Sequence, residues 1–178
     1  MKWKNYSLEN ACYFITITAR NFIPLFTDET VVRILFDSLE FLRRNDGLKV
    51  YAYIVMPNHI HLVVGCDSKS INNMVGGFKS YTSRSIAEYL ELNNAPLLKK
   101  FEKSAYKGQN YAIWQETFRS EIIYDEAFLR QKVDYIHNNP VKGGLVESAD
   151  DWQYSSCRQF ECDASFGNPV SGFKVDVF

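Results

Sequence analysis

Residues 49–66, KVYAYIVMPNHIHLVVGC, decide the fold of this chain. Both halves of the stretch are rich in β-branched and aromatic residues, and only Pro57 and Asn58 separate them. This pattern is typical of two strands joined by a tight turn, so we predict strands over 49–56 and 59–66. Alternate side chains of a strand point to opposite faces. His59 and His61 therefore share one face, and the core-facing side of the same strand consists of Ile60, Leu62 and Val64.

The flanking segments extend this strand pair into a complete domain pattern. We predict, in order, a strand over 11–19, a helix over 29–45, a helix over 70–92, a short strand within 118–123 and a helix over 125–139. Thr27-Asp28, Ser70 and Asp125 can cap the three helices, and residues 93–109 are predicted to form a Lys-rich loop. The order β-α-β-β-α-β, followed by a helix, indicates an α+β fold with a ferredoxin-like antiparallel sheet.

The composition fits one globular domain. The chain has 178 residues, of which 46% are hydrophobic and 23% are charged. No apolar run approaches the roughly 20 residues of a membrane-spanning helix, and the first residues lack a secretory signal. The four cysteines form no CxxC pair, which argues against a zinc framework. We therefore expect a cytoplasmic protein without membrane contact, with one domain over residues 1–160 and a tail over 161–178.

Charge is unevenly distributed along the chain. The net charge of −1 by itself argues against a nucleic-acid-binding protein. Between residues 69 and 110, however, seven Lys and Arg residues stand against three Glu residues, a local balance of +4. Such a segment can contact phosphates, although a solvated helix face and loop explains the same pattern at least as well.

The histidine pair is the first candidate site. Two imidazoles on one face of a strand can hold a divalent metal ion and leave coordination positions open for substrate oxygens. The alternative is structural: His59 and His61 are half-buried strand residues bonded to hydroxyl or carbonyl groups. The pair alone does not decide between these interpretations.

The helix predicted over residues 125–139 carries further candidates. At about 100° per residue, its core-facing stripe consists of Leu129, Val133 and Ile136. Tyr135 lies well off that stripe, and Asn139 follows it by one turn, whereas His137 points to a nearly opposite side. The spacing favours Asn139 over His137 as a metal ligand, and an amide oxygen suits a hard ion such as Mg²⁺ or Mn²⁺. A surface tyrosine and a helix-terminal asparagine are the structural alternatives.

Two segments in this order, PNHIHLVV at 57–64 and VDYIHNNPVK at 133–142, resemble the HUH single-tyrosine transposases, most closely the branch of REP-associated tyrosine transposases. Shorter matches to the same branch are FKS at 78–80, IWQ at 113–115 and WQYSS at 152–156. The resemblance extends over most of residues 5–160. It implies a ferredoxin-like fold with a His-hydrophobic-His metal pair.

The resemblance also implies a chemistry. It makes His59 and His61 metal ligands and Tyr135 the nucleophile of a metal-dependent endonuclease that cleaves and rejoins DNA through a covalent 5′-phosphotyrosine. Insertion-sequence relatives carry Gln one turn after the tyrosine, where this chain has Asn139. The implied cofactor is Mg²⁺ or Mn²⁺, without a nucleotide cofactor. The implied substrate is single-stranded DNA with hairpin ends. Members of the family can work as homodimers in which the partner supplies the tyrosine helix, an assembly that the REP-associated branch does not require.

The expected DNA contacts lie in the middle of the chain. The cations that can contact phosphates are Lys79, Arg84, Lys99 and Lys100. Trp114 can stack on unpaired bases, and packing in the core is an equally good interpretation of this residue. Two other functions remain open, a catalytically inactive or domesticated DNA-binding regulator and a small metal hydrolase.

Overall fold

A four-stranded antiparallel sheet with helices on both faces forms the centre of the molecule. The computed structural model of the chain describes residues 11–66, 70–106, 109–161 and 172–177. The elements in these ranges are, in chain order, β1 (Cys12–Thr18), a 3₁₀ turn (Arg20–Phe22), α1 (Glu29–Asp46), β2 (Leu48–Met56), β3 (His59–Cys66), α2 (Ile71–Asn93), α3 (Ala95–Lys99), β4 (Glu102–Tyr106), β5 (Gln109–Tyr111), β6 (Arg119–Ile123), α4 (Glu126–His137), α5 (Asn139–Lys142), a 3₁₀ turn (Ala149–Asp151) and α6 (Cys157–Glu161).

The strand order in the sheet is β2-β3-β1-β6, and neighbouring strands are antiparallel. β1 therefore lies between β3 and β6, although it comes first in the sequence. The succession β1-α1-β2-β3-α2-β6, followed by α4, confirms the predicted ferredoxin-like α+β fold and its additional helix with Tyr135. β4 and β5 form a separate two-stranded ribbon between α3 and β6.

The helix boundaries follow from the predicted capping residues. Asp28 accepts hydrogen bonds from two backbone N–H groups at the start of α1, and Gly47 ends this helix at a φ of 68°. Ser70 caps α2 and Asp125 caps α4. Of the helices in the described ranges, none combines the length and the apolarity that crossing a membrane requires.

The segment over residues 93–109 corrects a prediction. We predicted a Lys-rich loop there, but it contains α3, β4 and the start of β5. Asn94 caps α3, while Leu98 and Phe101 are buried and attach the lysine-bearing segment to the core. Burial of a few apolar side chains thus outweighs the polar character of the segment as a whole.

The two faces of the sheet carry separate cores. On the first face, which we call the α1/α2 face, alternate strand residues pack beneath both long helices; they include Ile15, Ile17, Ile60, Leu62 and Val64. On the second, the α4 face, a smaller core forms beneath α4; its members are Phe14, Ala52, Ile54, Met56, Val63, Val133 and Ile136. This smaller core leaves the rest of the α4 face to polar side chains.

The chain beyond α5 covers the β2 edge of the sheet. Residues 154–156 form backbone hydrogen bonds with β2. Residues 172–177, which we assigned to a tail, pack against the same edge: Phe173 is buried, and Asp176 donates its backbone N–H to the Val50 carbonyl at 2.8 Å. Coverage of this kind prevents the edge from pairing with another strand.

Candidate active site

His59 and His61 lie on the α4 face of β3, with ring centroids 4.7 Å apart. Thr16 of β1 pairs with His61 in the sheet register and places its Oγ1 2.8 Å from His61 Nδ1. His61 is only 4% exposed, and its buried Nε2 has no hydrogen-bond partner among the residues that the structure describes. An unpartnered buried nitrogen costs free energy, so this atom needs a functional explanation.

Asn58 orients the ring of His59. Its Oδ1 lies 2.7 Å from His59 Nδ1, and its Nδ2 donates to the carbonyl oxygen of Phe22 at 3.2 Å. Because Oδ1 can only accept, His59 Nδ1 carries the proton and Nε2 keeps its lone pair. Hydrogen bonding at one ring nitrogen that leaves the other available is typical of metal-binding histidines.

Burial keeps both imidazoles neutral. Desolvation lowers the pKa of His59 below its usual range. Desolvation also lowers the pKa of His61, to about 3, with smaller contributions from the charges of His59 and Lys132. Neutral imidazole is the form that binds a metal ion, so protons do not compete for the pair near neutral pH.

The tyrosine helix is attached to the sheet by apolar and ionic contacts. Val133 and Ile136 are buried in the small core of the α4 face, as the predicted stripe requires. Lys132 forms an ion pair of 2.7 Å with Glu121 of β6, and its ammonium lies 4.5 Å from the centroid of the Phe14 ring. These contacts fix the rotation of α4 about its axis and hence the direction of its remaining side chains.

His137 attaches the end of α4 to the C-terminal part of the domain. Its Nε2 lies 2.9 Å from Ser156 Oγ, and its ring contacts Phe160 edge-on with centroids 5.0 Å apart. Burial lowers the pKa of His137 to about 4, against an opposing effect of Asp134. His137 thus points away from the histidine pair and holds the helix in place.

Tyr135 projects from α4 toward the histidine pair of its own chain. Its ring centroid lies 5.4 Å from that of His61 and 5.8 Å from that of Phe14, in edge-on geometry. The side chain is 40% exposed, and the ammonium of Lys142 lies 5.5 Å from its ring centroid. A phenol that is open to solvent, beside two neutral imidazoles and a cation, can meet an incoming phosphate.

The helix that carries Tyr135 ends two residues before the predicted end at Asn139. α4 ends at His137, and Asn139 is the first residue of the short helix α5, in which Pro140 lacks the N–H needed to continue α4. Asn139 is half-buried, and within the described ranges its side-chain amide has no hydrogen-bond partner. Its role as a ligand stays a prediction.

The predicted DNA contacts lie apart from this site. Lys79 and Arg84 are on α2, which packs on the α1/α2 face, and Lys99 and Lys100 are exposed at the end of α3. The ammonium of Lys79 donates to the backbone carbonyl of Glu116 at 2.8 Å, and burial lowers its pKa.

Trp114 corrects our stacking prediction. It is only 4% exposed, its indole Nε1 donates to Thr82 Oγ1 at 2.9 Å, and its ring packs against Phe26 and Phe78. The residue therefore belongs to the core, which was the alternative interpretation, and its ring does not face solvent.

Cations that our sequence reasoning missed lie on the α4 face itself. Arg119 pairs with Thr16 across β1 and β6, so its side chain points to the same face as His61, and it is exposed. Lys142 and Lys132 lie on either side of Tyr135 along the chain. Helical spacing could have revealed Lys132, one turn before Tyr135, but the position of Arg119 depends on strand pairing.

The donor set fits a divalent ion. The unpartnered Nε2 of His61 and the oriented ring of His59 offer two neutral nitrogen ligands side by side. Within the described ranges, no group of three or more His, Cys, Asp or Glu side chains is placed to hold a metal ion by itself. A complete site at this pair therefore requires a ligand of another type, such as an amide oxygen, a phosphate or water.

The chain is similar in sequence to two curated proteins. A REP-associated tyrosine transposase of Escherichia coli (strain K12) is 26% identical over 156 residues, which cover 87% of this chain and 81% of that protein. A relative in Haemophilus influenzae, also named a REP-associated tyrosine transposase, is 32% identical over 107 residues. That alignment covers 59% of this chain, and the chain spans just over half the length of this relative, 56%.

The fold is shared with a solved structure of a REP-associated tyrosine transposase bound to a REP hairpin. The TM-score is 0.71 at 20% identity, and the superposition covers 100% of this chain and 93% of the other. A family model for IS200-like transposases matches residues 7–139. Because this match includes about three quarters of its residues, the chain belongs to the family of IS200-like transposases.

Proposed function

We propose that this transposase is a metal-dependent enzyme that cuts and rejoins single-stranded DNA through a covalent 5′-phosphotyrosine on Tyr135. Family membership supports a transposase function in general. The observation that carries the finer proposal is the placement of the Tyr135 ring 5.4 Å from the ring of His61, whose Nε2 lacks a partner.

The chain's own residues supply binding and attack. His59 and His61 would hold Mg²⁺ or Mn²⁺, which when bound supplies positive charge to the oxygens of the scissile phosphate. Asn139 is the proposed additional ligand. Arg119 and Lys142 add cationic charge on the side from which DNA approaches, and the anchored helix α4 directs the phenol of Tyr135 at the phosphorus.

The proposed step is a balanced transesterification. Tyr135 Oη forms a bond to the scissile phosphorus, and the bond from that phosphorus to the 3′-oxygen breaks. The phenol gives up its proton to solvent, and the departing 3′-oxygen takes one up as a 3′-hydroxyl. The number of phosphodiester bonds is unchanged, so a 3′-hydroxyl of another strand can reverse the step without a nucleotide cofactor.

The proposed substrate is a hairpin with single-stranded flanks. The solved transposase of the same fold is bound to a REP hairpin, and we carry this substrate class over to the present chain. Because Tyr135 reaches the histidine pair of its own chain, one chain is sufficient for one cut, and a second cut needs another chain or another cycle.

A covalent-adduct assay tests the proposal. A pool of synthetic hairpins with randomised single-stranded flanks carries one dye at the 3′ end and another at the 5′ end, and is incubated with the protein and Mn²⁺. We expect the 3′ dye to stay with the protein in denaturing gels, because the phosphotyrosine holds the strand downstream of the cut, while the 5′ dye is released. Sequencing of the trapped strands identifies the target.

Matched substitutions decide the mechanism. Tyr135→Phe should abolish the adduct, whereas Tyr124→Phe should retain it, because Tyr124 is exposed just before α4 and does not contact the histidine pair. Cleavage that persists in Tyr135→Phe would indicate a metal hydrolase. Hairpin binding without cleavage by the unmutated protein would indicate a regulator.

A further inference from the structure

The turn between β1 and α1 contains an unusual backbone conformation. Asn21 has a φ of 55° and Phe22 a φ of 54°, and among the described residues no others except glycines have a positive φ. A left-handed conformation is uncommon for any residue with a Cβ and is a clear outlier for a bulky one. Strain of this kind persists only where the surroundings enforce it, and it concentrates at functional sites.

Asn58 connects this strained turn to the histidine pair. Asn58 donates its Nδ2 to the carbonyl oxygen of Phe22, and its own backbone carbonyl accepts the N–H of Ala19 at 2.8 Å. The same Asn58 orients His59 through Oδ1. One side chain thus connects the metal ligand to the turn, and the position of Phe22 relative to His59 is fixed.

The strained turn exposes an aromatic ring. Phe22 is 63% exposed, and within the described ranges its ring stacks on no other aromatic side chain. Burial therefore does not compensate for the strain at this residue. A glycine would relieve the strain at the loss of only a partly covered side chain, so the phenyl ring itself requires an explanation.

A polar cleft lies at the turn that carries Phe22. Its volume is about 400 Å³, and its lining includes Arg20 of this turn together with Lys79, Ser83, Gln115 and Glu116. A cleft of this size and polarity is large enough for one nucleotide. An exposed phenyl ring in the same turn as Arg20 matches the flat face of a base and its phosphate better than it matches an apolar protein surface.

We propose that Phe22 is a stacking platform for an unpaired base of the DNA strand next to the cut, with Arg20 at an adjacent phosphate. This inference rests on the proposed function, since it places the base beside the histidine pair. Stacking on a phenyl ring does not depend on base identity. The turn therefore positions the strand at the site, and specificity for the target sequence comes from other contacts.

Binding of Phe22 variants to strands with and without bases tests the stacking proposal. Binding of dye-labelled 12-nucleotide oligodeoxythymidylate, and of an abasic strand of the same length, is measured in Tyr135→Phe so that cleavage does not interfere. We expect Phe22→Gly to weaken binding of the thymidylate strand about tenfold and to leave binding of the abasic strand unchanged, because only the former has bases to stack. Phe22→Trp should bind the thymidylate strand at least as tightly as Phe22, with quenching of the new indole fluorescence.

Two controls separate stacking from folding. Phe41→Ala removes an equally exposed phenylalanine, 61% exposed on α1, and should bind both strands as the unmutated residue does. Phe22→Gly should not lower Tm, since glycine accepts the positive φ.

The outcomes distinguish this inference from the proposed function. The proposal would be overturned if Phe22→Gly weakened binding of the thymidylate and abasic strands equally. It would also be overturned if the protein with Phe22 bound both strands equally well, or bound neither. The use of Phe22 as an interface with another protein would give the second of these results. The covalent-adduct assay decides the Tyr135 mechanism separately, because the binding measurement uses a protein that cannot form the adduct.

Discussion

The α1/α2 face and the α4 face of the same sheet differ in what their side chains contribute. On the first, β3 supplies Ile60, Leu62 and Val64, which are almost completely buried beneath two long helices. On the second, the same strand supplies His59 and His61, and the buried Nε2 of His61 has no hydrogen-bond partner in the described part of the chain. Stability thus comes mainly from one face, and the other can carry the polar, incompletely satisfied groups that chemistry needs.

The largest expected effect is a loss of metal affinity on the α4 face. His61→Ala removes the ring whose Nε2 is unpartnered, so Mn²⁺ affinity should fall at least about 100-fold, since loss of a supporting partner alone costs about 10–100-fold. Isothermal titration of the protein without DNA measures this loss. The free energy of unfolding should change by no more than about 1 kcal/mol, because the variant also removes an unsatisfied buried atom. Undiminished Mn²⁺ affinity would contradict the metal assignment.

A matching substitution on the α1/α2 face should lower stability instead. Leu62→Ala, one residue along β3, should lower the free energy of unfolding by about 2–5 kcal/mol, because it opens a cavity in the large core. Denaturant titration measures the loss. Under conditions where the variant is folded, its Mn²⁺ affinity should stay within about twofold of that of the unmutated protein. A twofold change corresponds to about 0.4 kcal/mol of binding free energy. A loss of metal binding as large as that of His61→Ala would show that the two faces are not separable.

A smaller change sharpens the comparison within the α4 face. Thr16→Val keeps the shape and strand preference of the side chain but removes the hydroxyl 2.8 Å from His61 Nδ1. Mn²⁺ affinity should fall about 10–100-fold, as for other supporting partners of metal-binding histidines. Thr18→Val, at the position that pairs with His59, is the matched control and should leave the affinity unchanged. Equal effects of the two substitutions would argue against a specific role of Thr16.

The smallest effect concerns the DNA contacts. Arg119→Gln on the α4 face should weaken single-strand binding a few-fold and reduce the slope of log affinity against log salt by about 0.7, the value for one phosphate contact on a single strand. Lys99→Gln and Lys100→Gln, away from the site, should leave both quantities nearly unchanged. Fluorescence anisotropy at several salt concentrations measures them. The reverse result would place the DNA on our originally predicted surface.

Local patterns explain what could be predicted from sequence. The alternation in β3 assigns Leu62 to the core and His61 to the site, because successive side chains of a strand always face opposite sides. Helical spacing likewise separates Tyr135 from His137. The caps at Asp28 and Ser70 mark helix starts within a few residues, since hydrogen bonds to a helix start are local.

Long-range pairing explains what could not be predicted. Thr16 and His61 are separated by 45 positions in the sequence, and Arg119 is placed on the same face as His61 by the register of β1 with β6. The charges of Lys99 and Lys100 are visible in the sequence, but the side of the sheet on which their segment packs is not. The interruption of the tyrosine helix before Asn139 depends on the geometry of Pro140 and the short helix that follows.

The central claim is that Tyr135 and the histidine pair of one chain form a single DNA-cutting site. Tandem mass spectrometry of the protease-digested adduct tests it most directly, after nuclease trimming to one nucleotide. We predict that the mass of a nucleoside 5′-phosphate is attached to Tyr135 and that the modification requires both His59 and His61. Attachment to another residue, or an adduct that forms unchanged without the histidines, would contradict the claim.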